Sequence, residues 1–87
     1  MKVVRWNFDY RESLVDASTD EEAVELAMEG NRLYEEYWGG ADGDEAACIA
    51  DRNFYEVLGD ADFDWIAEHV GDEWYGGRFG RALVFVG

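Results

Sequence analysis

The sequence predicts an α+β fold on three observations. Apolar and polar residues alternate near the N-terminus, apolar residues recur at helical spacing through the middle, and strand-like flanks return around glycines near the C-terminus. One small antiparallel sheet is therefore expected from the N-terminal strand and a C-terminal hairpin, with about three helices packed on one of its faces. At 87 residues the chain has the size of one domain, 1–87, burying about 60 to 65% of its unfolded surface around a single modest core.

Val4, Trp6, Phe8 and Tyr10 alternate with Arg5, Asn7 and Asp9, the period-two pattern of a strand over residues 2–10. Ser18-Thr19-Asp20-Glu21-Glu22 then offers two overlapping capping boxes, Ser18 with Glu21 or Thr19 with Glu22, and its acids suit the positive end of a helix. That helix runs to about Trp38, where Gly39-Gly40 stops it. Its inner stripe is Ala23, Leu26, Ala27, Gly30, Leu33, Tyr34 and Tyr37, and Gly30 marks a close packing contact or a bend, since glycine weakens a helix by up to about 1 kcal/mol. Gly39 to Gly43 is a connection. Asp44 caps a second helix through Ala47, Ala50, Phe54, Val57 and Leu58, closed by Gly59. Phe63, Ile66, Ala67 and Val70 give a third helix with Asp60 or Asp62 as cap and Gly71 as stop. Glu73-Trp74-Tyr75 and Arg78-Phe79 flank a glycine turn at Gly76-Gly77, continuing into Arg81 to Val86 as a hairpin.

Charge separates along these elements. Overall there are 21 acids against 7 bases, a net charge of −14. From Asp16 to Glu73 the count is 19 acids against Arg32 and Arg52, a net −17, while the two flanks hold five bases and two acids, a net +3. A field of this sign disfavours nucleic acid and anionic membrane as direct ligands and speeds association with cationic proteins. On the first helix Glu22, Glu25, Glu29 and Glu36 form an outer line, interrupted by Arg32, that repeats about every 5.4 Å turn. Backbone phosphates fall every ~3.4 Å along a DNA strand, so such a ladder imitates a phosphate backbone. Asp42, Asp44 and Glu45, and Asp60, Asp62 and Asp64, extend the expected partner-binding surface.

Chemistry is poorly represented. Asp60, Asp62 and Asp64 have the spacing of a calcium loop, but Trp65 stands where the turn glycine belongs and Gly71 where a bidentate Glu must close the cage, so capping accounts for them better. His69 has no second ligand at metal spacing, and Cys48 lies in an apolar alanine-rich run that makes a thiol inert. Gly76, Gly77 and Gly80 follow no phosphate-loop pattern. The chain is therefore read as non-enzymatic, with no metal or cofactor. The single cysteine and the interruption of the start by Trp6-Asn7-Phe8-Asp9 indicate a cytoplasmic protein without a secretion signal, and the longest apolar run, Ala82 to Val86, is far short of the ~18 residues of a membrane span. Of Tyr34, Tyr37, Trp38, Trp65, Trp74 and Tyr75, most are expected to fill the space between helices and sheet, the rest serving as exposed binding anchors.

In size, charge and a strand-plus-acidic-helix plan, carried by Ser18 to Trp38 and Asp60 to Glu73, the chain resembles the small phage or mobile-element inhibitors that mimic nucleic acid, the anti-CRISPR and antirestriction proteins. The resemblance implies a steric mechanism in which acidic helices occupy a basic nucleic-acid-binding channel of a host defence protein. Two other expectations stand beside it: an immunity or antitoxin-like protein that caps a basic toxin, and a salt-adapted acidic domain without a charge-based partner.

Overall fold

The computed structural model describes residues 1–71 and 74–86. Glu73, at the head of the expected hairpin, and the side chains of Phe63 and Val70 in the third helix lie outside the described residues. In chain order the elements are β1 (Lys2–Trp6), β2 (Arg11–Val15), α1 (Asp20–Tyr37), α2 (Gly43–Ile49), a 3-10 turn (Arg52–Phe54), β3 (Tyr55–Asp60), α3 (Phe63–Val70), β4 (Tyr75–Phe79) and β5 (Ala82–Phe85). Among the described residues the five strands make one antiparallel sheet in the order β3-β1-β2-β5-β4. The α+β class holds, and the sheet is larger than one strand plus a hairpin.

The expected strand over 2–10 is instead a strand and a turn. Pairing stops at Trp6, the Asp9 carboxylate accepts from the Arg11 amide at 3.0 Å, and Tyr10 takes a left-handed φ of 63° that reverses the chain into β2. Phe8 and Tyr10 therefore sit on the turn, 43% and 68% exposed, instead of lining the core. The second helix likewise ends at Ile49 and not at Leu58. Asp51 accepts from the Asn53 amide at 2.9 Å and turns the chain, and Tyr55 to Asp60 pairs with β1 as an edge strand. At the C-terminus the hairpin turn is Gly80-Arg81, with Gly80 at φ 61°, while Gly76 and Gly77 lie inside β4.

The helices do not share one face, contrary to expectation. Val4, Trp6, Val15, Ala82 and Val84 point towards α1 and α2 and pack with Ala23, Leu26, Ala27 and Ile49. Val3, Leu14, Leu83 and Phe85, the alternate positions, point the other way and meet Trp65 and Ile66 of α3. The central strands β2 and β5 are consequently buried on both sides, and full burial of each Leu or Val there is worth about 1.5 to 3 kcal/mol.

Both well-marked helices begin where the sequence places them. Thr19 Oγ1 accepts from the Glu22 amide at 3.1 Å to cap α1, and Asp62 Oδ1 accepts from the Trp65 amide at 2.8 Å to cap α3, which ends at Gly71. Gly30 is a close-packing position: a Cβ there would stand 2.6 Å from the Ala82 Cβ of β5. Tyr37, expected on the inner stripe, is 70% exposed, its ring touching Phe79 and Trp38 at the end of the helix.

Candidate functional site

An unbroken helix of 18 residues sets the geometry of the acidic ladder. Glu22, Glu25, Glu29 and Glu36 fall within a narrow flank of α1, away from the Ala23, Leu26 and Ala27 stripe that meets the sheet, and the line is about 21 Å long at 1.5 Å per residue. That is the span of about six phosphates of one DNA strand. Two of the four carboxylates already hold a cation of the chain: Glu25 meets Arg52 at 3.4 Å and Glu36 meets Arg32 at 2.9 Å. Among the described residues Glu22 and Glu29 make no ion pair. Exposed pairs of this kind are worth about 0 to 1 kcal/mol, so these two cost little to break.

The second acidic group joins this helix at its C-terminal end. Asp42, and not the expected Asp44, occupies the N-cap position of α2, because the helix already starts at Gly43; Asp44 and Glu45 fall in its first turn. Partial burial pushes the Glu45 carboxyl above its ordinary value, and the neighbouring Glu35 carboxylate adds to the effect. Glu35 is itself drawn inward by Arg11, whose Nη2 donates to it at 2.8 Å. The third group divides. Asp60 sits beside Lys2 at 3.4 Å, and Lys2 also reaches Asp20 at 3.3 Å, so this carboxylate lies near the start of α1. Asp62 and Asp64 belong to α3, on the other side of the sheet, and Asp62 is committed to its cap. The structure thus keeps Glu22, Glu25, Glu29 and Glu36 on one flank of α1, sets Glu45 of α2 beside Glu35 of α1, and places Asp62 and Asp64 on the other side of the sheet.

Sequence reasoning missed Arg11. Its side chain is 7% exposed, held 5.0 Å above the Trp6 ring and 4.5 Å from the Tyr34 ring, and it bonds Asp9 at 3.3 Å as well as Glu35. Pairing places Tyr55, Trp6 and Arg11 in one row across β3, β1 and β2. Asn31 continues the polar network, its Nδ2 donating to the Tyr55 hydroxyl at 3.3 Å, and that hydroxyl donates to the Ile49 carbonyl at 2.8 Å. The only signal for it in the sequence is Asp9 two residues before a charged strand start.

Other candidates separate or fill. Cys48 and His69 lie on opposite sides of the sheet, Cys48 packing with Trp6 and Ile49, and His69 stacked at 3.7 Å on Trp65 against Phe85. Burial pushes the Cys48 thiol up, and Asp44 and Asp51 add to this, so the reactive thiolate is disfavoured. Two open, shallow grooves share Arg32, Ile49 and Ala50 between α1 and α2: one of about 230 Å³ lined also by Ala41, Ala46 and Glu36, the other of about 390 Å³ lined also by Met28 and Glu29. No helix among the described residues is long and apolar enough to cross a membrane. Of the six aromatics singled out in the sequence, Tyr34, Trp65 and Tyr75 are half-buried, whereas Tyr37, Trp38 and Trp74 are 70%, 64% and 52% exposed. No family model, curated protein or solved structure matches the chain.

Proposed function

We propose that this protein is a non-enzymatic inhibitor that acts in the cytoplasm by laying the acidic flank of α1 into a basic nucleic-acid-binding surface of a defence protein, as anti-CRISPR and antirestriction mimics of DNA do. The carrying observation is that Glu22, Glu25, Glu29 and Glu36 share a single flank of a continuous helix, one turn apart except for the two turns between Glu29 and Glu36 where Arg32 stands, with Asp42, Asp44 and Glu45 at the start of the following helix. Association gains from release of counterions, as it does when the same basic surface binds DNA. A second reading, an immunity or antitoxin-like cap on a basic toxin, is favoured by the exposed Tyr37 and Trp38 at the C-terminal end of α1, since exposed aromatics are typical hot spots of specific complexes.

Capture from a bacterial lysate tests the main reading. At about 0.1 M salt the protein should retain basic nucleic-acid-binding proteins, release them at about 0.5 M, and lose them to added duplex DNA. The variant E22K/E25K/E29K should retain none of them while keeping its circular dichroism spectrum. Retention of the same proteins by the variant, or indifference to DNA, overturns the proposal; a single captured toxin that DNA does not displace supports the second reading.

A further inference from the structure

We propose that Tyr37 and Trp38, at the C-terminal end of α1, form an anchor that reads arginine in the basic partner. The inference deepens the preceding one and rests only on the partner being cationic, so it holds for either class of partner. The two rings meet edge to face at 4.9 Å, Tyr37 also contacts Phe79 at 5.8 Å, and Trp38 contacts Tyr34 at 6.3 Å. They are thus held by an aromatic cluster while remaining 70% and 64% exposed, which lowers the entropy lost when a partner binds.

Three features of this corner favour a guanidinium. The last turn of α1 carries no basic residue, so no side chain within it offsets the negative end of the helix dipole, while Glu35 and Glu36 already pair with Arg11 and Arg32. The chain has already built the same combination inside: Arg11 lies over Trp6 and Tyr34 and bonds Glu35, which shows that an aromatic pair plus a carboxylate in this fold holds arginine. Tyr34 belongs to both arrangements, facing Arg11 inward and Trp38 outward. Finally, exposed Tyr10 is covered by the chain's own Arg5 at 5.6 Å, whereas among the described residues no cation of the chain lies over Tyr37 or Trp38. Arginine, planar and weakly hydrated, gains more from such a face than lysine does.

Titration with hexaarginine and with hexalysine, two probes of equal charge, tests this by following the Trp38 indole N–H signal by NMR near physiological salt. Hexaarginine should bind about five-fold more tightly and shift that signal. Trp38→Ala should reduce its affinity to that of hexalysine without changing the melting temperature, Trp38→Phe should keep part of the preference, and Tyr10→Ala should keep all of it. Equal affinity for the two peptides in the wild type, or an arginine preference that survives Trp38→Ala, overturns the proposal. E22K/E25K/E29K should weaken both peptides alike and preserve their ratio, so that the anchor stands or falls separately from DNA mimicry.

Discussion

A guanidinium buried between two aromatic rings is the most consequential single side chain in the molecule. Arg11 is charged and 7% exposed, and its Nε has no hydrogen-bond partner among the described residues, so its solvation is replaced by Trp6, Tyr34, Glu35 and Asp9. Arg11→Ala leaves Glu35 half-buried without its cation and opens a gap between the rings, and we expect a loss of about 3 kcal/mol in urea unfolding. Arg11→Met, which restores the bulk but not the charge, should recover part of that loss. Tyr55 gives a second expectation. Burial pushes its hydroxyl from an ordinary 10.0 up to about 12, because ionisation would place a charge beneath α1 and α2. A folded-state value raised above the unfolded one contributes stability that is intact below pH 10 and is lost as pH rises towards 12. The urea midpoint of the wild type should therefore fall between those values more steeply than that of Tyr55→Phe, and parallel curves would show that the phenol does not resist ionisation.

At the scale of elements, α1 and β5 approach closely at Gly30. Alanine in a helix is favoured over glycine by about 1 kcal/mol, but here its Cβ would meet the Ala82 Cβ at 2.6 Å, with Phe79 O at 3.4 Å behind it. Both neighbours are fixed to the sheet backbone and do not yield by rotation. Gly30→Ala should therefore cost about 1 to 2 kcal/mol, and adding Ala82→Gly should cancel most of that cost in a double-mutant cycle. Stabilisation by Gly30→Ala alone would show that helix and sheet stand farther apart. This contact was legible because glycine, which weakens a helix, gains its place in an apolar helical stripe chiefly where two backbones must approach closely. The caps of α1 and α3 were legible for a related reason, as Thr19 and Asp62 precede clear periodic runs. Strand β2 was not, because Phe8 and Tyr10 prolong the alternation of β1 through a turn, and Arg11 and Ser13 are polar residues facing inward. Strand β3 was hidden for the opposite reason: Ala47, Ala50, Phe54, Val57 and Leu58 happen to follow helical spacing, and only the Asp51-Arg52-Asn53 break marks the change of structure.

For the whole molecule, the acidic flank was readable as residues but not as a surface, since only the position of α3 across the sheet shows that Asp62 and Asp64 stand apart from Glu22 to Glu36. The structure also shows how the basic ends offset the acidic middle: Lys2 holds Asp20 and Asp60, and Arg5 holds Glu56 at 2.7 Å, so β3 joins the sheet partly neutralised. What remains concentrated is the charge of α1 and α2, which repels itself and works against folding. Each reversal in E22K/E25K/E29K changes the charge by two units, taking the net value from −14 to −8. If these carboxylates serve a partner and not the fold, the variant should be more stable than the wild type at about 0.01 M salt, where the Debye length is about 30 Å, and the two should converge at a few tenths molar as screening removes the repulsion. The wild type should level off over the same range. A stability that keeps climbing into molar salt would favour salt adaptation, and a variant less stable than the wild type at every ionic strength would assign the flank to the fold. Thermal unfolding of both proteins across this range separates the three cases, because binding, salt adaptation and structural support place different demands on the same carboxylates.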